Sequence, residues 1–253
     1  MKTGFLVFAA LAVAAAAHTQ DVAYAGRKID GIWYHAIVAN LRSDDVKVSG
    51  LVNQTIGRAE PIWTMIGRTQ PAVAISGTFF DTRSKRPIGT IIIEGEGKVD
   101  GFHGSCLAVD HFNKPVILDP KWGRHFDISL YRFVVRGGVR LLTGGELTVY
   151  PKAQRFKDPR VWSAARRIAV GVTKGDKLIF VGTNGSVTLS RLARAMRVLG
   201  ARNAMALDGG GSAAMYYRGK LLMRPSRGMT NLLTISQAKD IAWKPMPLGN
   251  GGK

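Results

Sequence analysis

Three consecutive glycines set between two apolar runs leave a backbone few choices, and this chain has them at Gly209-Gly210-Gly211. Before them stands Asn203-Ala204-Met205-Ala206-Leu207-Asp208; after them comes Ser212-Ala213-Ala214-Met215-Tyr216-Tyr217. The pattern predicts a short strand, a tight turn and a second strand, with Asp208 closing the first. A carboxylate at a strand end is held by a rigid element. Glycine has no Cβ, so φ > 0 is open at each of the three and their N–H groups can approach an anion closely. That combination suits chemistry on a charged substrate. The same residues also suit a plain hairpin, since Asp-Gly and Gly-Gly are common turn pairs. On these residues alone both readings stay open.

The chain of 253 residues is long enough for one large domain or two small ones. With 46% hydrophobic and 21% charged residues, its composition is that of a globular protein and excludes a disordered one. The single cysteine, Cys106, excludes an intramolecular disulfide. Its neighbours Ser105 and Leu107-Ala108-Val109 read as a strand entry, which favours a buried apolar thiol over a nucleophile. Met1-Lys2-Thr3 and the apolar run Gly4–Ala17 match a signal peptide, too short to span a bilayer. Cleavage is expected after Ala17 or after Ala23-Tyr24-Ala25. Residues 1–25 are therefore read as signal peptide, 26–245 as one domain and 246–253 as a flexible tail. The expected location is periplasmic or secreted, with no transmembrane segment after cleavage.

Net charge is +19 and unevenly placed. Residues 151–253 carry 19 Lys and Arg against 4 Asp and Glu, whereas residues 1–150 carry 17 against 13. A basic half in an exported protein points to polyanions such as phosphate-bearing polysaccharide, anionic lipid or nucleic acid. No basic stretch is interleaved with base-stacking aromatics, so nucleic acid is not the expected partner.

Along the chain, residues 18–30 read as leader or linker. Strands are expected over residues 33–38, 45–52, 72–75, 90–93, 107–109, 116–118 and 131–135. Glu60–Ile66 predicts a short helix with proline in its first turn, and Trp63 reads as core. Ser76-Gly77-Thr78-Phe79-Phe80-Asp81 puts small polar residues at a second strand end, where the phenylalanines either stack on a sugar or close the core. The basic loop Arg83-Ser84-Lys85-Arg86 follows. Arg136-Gly137-Gly138 is expected to end a strand, leaving bare backbone beside a cation. Residues 151–165 form a polar, basic loop and a candidate lid. A hairpin is expected over Thr173-Lys174-Gly175-Asp176. Leu189, Leu192, Ala193, Met196 and Leu199 then predict a helix capped by Thr188 or Ser190 and stopped at Gly200. Arg191, Arg194 and Arg197 on its outer face are assigned no site. His103 and His111 lie in unlike contexts, and no His/Cys cluster has zinc-ligand spacing. Many strands and few helices give an α+β class: a single β-rich domain with a mixed, mostly antiparallel sheet and a few packed helices.

From Trp33 to Ile235 the chain resembles the phosphodiester glycosidase family, and five blocks carry the likeness. Ala72–Asp81 is similar to its strand into N-G-x-F-F. Arg136-Gly137-Gly138 is similar to its G-G-P block, and Arg167–Gly171 to R-x-x-x-G. Leu189–Ser212 is similar to its helix followed by L-G-A-x-N-A-x-x-L-D-G-G-G-S, the longest block. Arg227–Asn231 is similar to R-x-x-x-N before the last strand. Ser76 stands where the family has asparagine, and Val139 where it has proline. The resemblance implies hydrolysis of a sugar joined through its anomeric carbon to a phosphodiester. It implies a phosphorylated sugar or anionic polysaccharide as substrate, with Asp208 as catalytic carboxylate. Substrate would be bound by Ser76, Gly77, Thr78, Phe80, Arg136, Gly137, Gly138, Arg167, Gly209, Gly210, Gly211, Ser212, Arg227 and Asn231. No cofactor and no metal ligand is implied, though a divalent ion is not excluded. A second carboxylate is unassigned, with Asp81 and Glu94 as candidates.

Overall fold

The computed structural model describes residues 20–121, 123 and 127–238. The apolar run Gly4–Ala17, read as part of the signal peptide 1–25, and the proposed tail 246–253 lie outside them. Two antiparallel sheets stack face to face. The larger runs β1(Val22–Ile29), β2(Ile32–Ala39), β12(Leu178–Val187), β11(Ala165–Thr173), β13(Ala201–Ala206), β9(Tyr131–Thr143), β5(Gly89–Ile93), β6(Glu96–Phe102). Strands β7(Ser105–Asp110), β8(Pro115–Leu118) and β10(Glu146–Leu147) extend it around β9. The smaller runs β15(Lys220–Met223), β14(Met215–Tyr217), β4(Val73–Ser76), β16(Asn231–Gln237), β3(Val46–Val52). Helices α1(Ile62–Gly67) and α2(Leu189–Val198) cover the outer faces.

Alternation builds these layers, because successive strand side chains point to opposite faces. In β11, Ile168, Val170 and Val172 meet Val73, Ile75, Leu233 and Ile235 of the smaller sheet in the central core. Ala169 points the other way, towards Leu192, Ala193 and Met196 of α2. In β4, Ala74 faces Ile62, Met65 and Ile66 of α1. The hairpin β11–β12 and the helix capped by Thr188, whose side chain accepts from the Arg191 N–H, form as the spacing predicts. Every strand ladder among the described residues is antiparallel, so the mixed sheet is corrected. Only two α-helices pack on the sheets among those residues, and the domain is mostly β.

Three further expectations are corrected. Val22–Ile29 forms a strand paired along its length with β2, so residues 18–30 are not simply leader or linker. Trp63 remains 46% exposed, edge-on to Tyr216. Arg136-Gly137-Gly138 lies in the middle of β9, not at its end. The first half of β9 pairs with β5 and β7, the second with β13. Gly137 has φ +118, and a Cβ on Gly138 would lie 2.6 Å from the Ala206 carbonyl oxygen. The glycines let the strand bend between ladders and press on β13.

Candidate functional site

Asp208 sits where the two sheets meet. β13 ends at Ala206 in the larger sheet and β14 begins at Met215 in the smaller, and the two do not pair. The glycine turn is therefore a bridge between sheets and not a hairpin. It forms a 3₁₀ turn, Gly210–Ser212. The Asp208 N–H donates to the Gly77 carbonyl just past β4, at 3.0 Å. Ser226 N–H donates to Gly211 O at 2.8 Å, fastening the turn to the 224–228 loop. Gly209 has no room for a side chain, since a Cβ would lie 2.7 Å from the Arg166 carbonyl oxygen. The Gly209 N–H is turned inward, to the Asp208 carboxylate.

The Asp208 carboxylate is buried. Desolvation pushes its pKa up to about 6, against the opposing pull of the Ser212 hydroxyl, the Arg227 charge, the Gly209 N–H and the Arg167 charge. Arg227 Nε donates to Ser212 Oγ at 2.7 Å, and its Nη2 lies 3.9 Å from Asp208 Oδ2. Asp208, Ser212 and Arg227 thus form one polar chain. Its outer end, the Arg227 guanidinium, stacks 4.8 Å from the Phe80 ring centroid and is 42% exposed. A buried carboxylate with a raised pKa beside a partly exposed cation can act as a proton-exchanging group next to an anion-binding one.

The other sequence-predicted residues divide by what their polar atoms touch. Asn231 clamps Thr78: its Oδ1 accepts from Thr78 N at 2.7 Å and its Nδ2 donates to Thr78 O at 3.1 Å and Thr230 Oγ1 at 2.9 Å. Gly77 fits only as glycine, because a Cβ would lie 2.0 Å from Asn231 Oδ1. Ser76 Oγ donates to Ser212 O at 2.6 Å and accepts from Ala214 N at 2.9 Å, so it braces the turn from behind. Ser76 and Asn231 are buried, and their polar atoms bond to protein. Among the described residues Thr78 Oγ1 is buried without a partner, against Gly137, where a Cβ would come within 1.9 Å of it.

Two of the three arginines are buried against backbone carbonyls. Arg136 is fully buried and donates to the carbonyls of Gly104, Pro120 and Lys121, away from Asp208. Arg167 is 2% exposed and donates to the carbonyls of Val187, Arg160 and Ser163. Burial pulls the pKa of both down. Arg167 lies close enough to Asp208 for their charges to interact, and it pins the 151–165 loop, whose Phe156 packs on Phe79. That segment is anchored at both places. Neither Asp81 nor Glu94 is brought to Asp208: Asp81 accepts from the N–H groups of its own loop, and Glu94 lies 3.7 Å from Arg132. Sequence reasoning missed Ser226 and Arg166, whose side chain donates to Asn184 Oδ1 and Ala213 O behind the turn. No spacing signal marks them, because they reach the turn from other strands and loops. No group of three or more His, Cys, Asp or Glu able to hold a metal ion occurs among the described residues.

A family model described as phosphodiester glycosidase matches residues 69–236. Among solved structures, the catalytic domain of zebrafish N-acetylglucosamine-1-phosphodiester alpha-N-acetylglucosaminidase, auto-inhibited by pro-peptide, superposes with TM-score 0.69. Its identity is 21%, over 85% of this chain and 82% of that one. A hypothetical protein from Synechocystis gives TM-score 0.64 at 15% identity, covering 85% and 61% of the two chains. A "putative exported protein" from Burkholderia pseudomallei gives 0.58 at 13%, covering 81% and 74%. No curated protein matches the sequence. These likenesses are to the fold, and the matched segment runs from just before β4 to the last strand, enclosing Asp208 and every residue bonded to it. By that match the chain belongs to the phosphodiester glycosidase family.

Proposed function

We propose that this protein hydrolyses a sugar-1-phosphodiester, releasing sugar and phosphomonoester, in exported polysaccharide or glycoconjugate metabolism. The observation that carries the reading is the chain Asp208–Ser212–Arg227 at the glycine turn. Breaking the anomeric C–O bond leaves positive charge on the sugar, which the Asp208 carboxylate faces. The electron pair departs with the phosphomonoester, whose oxygens meet the Arg227 guanidinium and the glycine N–H groups. Water supplies the hydroxyl that ends on the anomeric carbon. Phe80, held under Arg227, provides an apolar face for the sugar or its neighbour. The zebrafish relative is named for an N-acetylglucosamine-1-phosphodiester substrate.

A competing reading is an exported polyanion-binding protein with little or no catalysis, favoured by the net charge of +19 and by Ser76 in place of asparagine. The buried bracing role of the Ser76 hydroxyl weakens that second argument. Incubating the mature protein with a panel of sugar-1-phosphodiesters, and following reducing sugar and phosphomonoester by mass spectrometry, separates the two. Product release supports hydrolysis. Binding without product supports the competitor. Export itself rests on the Gly4–Ala17 run, and no helix among the described residues is long and apolar enough to cross a membrane.

A further inference from the structure

Three loops meet beside Arg227, and they are far more basic than the proposed chemistry at one phosphate requires. The 53–60 loop touches the 80–87 loop, where a Cβ on Gly57 would lie 3.3 Å from Ser84 O. It also touches the 224–228 loop, where a Cβ on Gly228 would lie 2.9 Å from Ala59 Cβ. Together they carry Arg58, Arg83, Lys85, Arg86, Arg224 and Arg227 against Asp81 and Glu60.

Both carboxylates are already engaged. Asp81 accepts from the N–H groups of Arg83 and Ser84, at 3.0 and 2.7 Å. Glu60 accepts from Gln54 N at 2.6 Å and lies 3.2 Å from Arg68. Arg58, Lys85, Arg86 and Arg224 have no carboxylate partner among the described residues. The 80–87 loop is stiff: Phe80 bridges Pro87, Asp81 N donates to Arg86 O at 2.9 Å, and Lys85 N to Asp81 O at 2.8 Å. Lys85 stands at φ +57, an uncommon conformation for a non-glycine residue. Its Nζ lies 6.0 Å from the centroid of the same Phe80 ring that carries Arg227 at 4.8 Å. Lys85 Nζ also donates to the Thr82 carbonyl at 2.5 Å, so two cations from different loops are held against one ring.

We propose that this rim holds further phosphates of the same substrate, which is a glycan with phosphodiesters in series. Arg227 takes the scissile phosphate, and Lys85 with the exposed Arg58, Arg83 and Arg86 takes those of the neighbouring repeat. The inference rests on the hydrolytic reading above for its scissile group, but the rim's binding is measurable without turnover.

The test compares a substrate with one phosphodiester against an oligomer with several, using wild type and the exposed-residue variant Arg58→Ala/Arg83→Ala/Arg86→Ala. For wild type the oligomer has a KM lower by about tenfold or more, and added salt shrinks that advantage. The triple variant loses the advantage while its kcat/KM on the single-phosphodiester substrate stays within about twofold and its Tm is unchanged. Equal KM values for the two substrates, or a variant that loses both activities alike, overturn the proposal. If wild type cleaves neither substrate, hydrolysis fails. Equilibrium binding of the intact oligomer then decides the rim: tight, salt-sensitive binding lost in the variant supports it, and weak binding overturns it. A single-stranded oligonucleotide of equal charge binding as tightly would mean that the rim reads charge alone, which also overturns the assignment to a glycan.

Discussion

Asp208 links stability to pH through one proton. Its pKa rises from 3.8 to about 6 on folding, so between those values the folded chain holds a proton that the unfolded chain has released. Stability therefore falls as pH rises through this window, by about 3 kcal/mol in all, and is flat above it. Asp208→Asn mimics the protonated form. We expect it to lose turnover by about 10²-fold or more while raising Tm at pH 8, with the gain vanishing towards pH 4. A lowered Tm at pH 8 with activity retained would make Asp208 a structural turn residue. The catalytic role needs the ionised form, so turnover should decline below pH about 6. Arg227→Ala removes a charge that favours that form, and its acid limb should move to higher pH. The same variant should raise KM for a phosphodiester more than for a neutral aryl glycoside, by about 1.5–3 kcal/mol of lost anion contact. Equal losses on both substrates, with no shift of the limb, would place Arg227 outside the site. Cys106 is buried and its thiol is pushed up to about 12 by desolvation, so it should resist alkylation until the chain unfolds.

The glycine turn is shaped by the elements around it. β4 ends at Ser76, and one hydroxyl there satisfies both Ser212 O and Ala214 N. Ser76→Ala leaves two buried backbone groups unpaired, each costing about 1–3 kcal/mol. The expected outcome is a clear drop in Tm and in kcat, with KM little changed, because the hydroxyl is spent on the backbone of the turn. A variant whose KM rises while Tm holds would return Ser76 to the substrate-binding set. The Asn231 clamp on Thr78 makes a related demand on Gly77, whose Cβ would collide with Asn231 Oδ1 at 2.0 Å. Much of this was legible beforehand: the strand ending at Ser76, a strand ending just before Asp208, a helix cap at Thr188 or Ser190 and the β11–β12 hairpin all follow from local pattern. The bend at Gly137-Gly138 was not, since a glycine pair inside a long strand looks in sequence like a glycine pair ending one.

For the molecule as a whole, the first strand decides where processing can occur. Val22–Ala25 pair with Ala36–Ala39, and Val22 is buried in the central core. Removal after Ala25 would strip half of β1 and open an edge of the larger sheet, whereas removal after Ala17 keeps the strand whole. Exported protein should therefore begin at His18, checked by N-terminal sequencing of the secreted or periplasmic fraction. A start at Gly26 in stable protein would mean that the fold tolerates the loss, and purely cytoplasmic full-length protein would refute export.

The amino-acid sequence alone determined what depends on neighbours along the chain. Alternation placed the strands, helical spacing placed α2, and glycine content marked the flexible backbone near Asp208. The blocks from Ala72 to Asn231 also pointed to the family. Only the tertiary structure decided which polar groups are free for a ligand. Arg136, Arg167 and Arg227 read alike as sequence, yet the first two are buried on backbone carbonyls and the third faces solvent over Phe80. Ser76 and Asn231 read as substrate contacts, yet their hydrogen-bonding capacity is taken by protein. The reason is physical: a buried polar group must be paired, and its partner comes from whatever the packing of two sheets brings near. Local sequence sets the donor and acceptor inventory, while contacts across 100 residues or more, such as Ser76 with Ser212 and Asn231 with Thr78, settle how it is used.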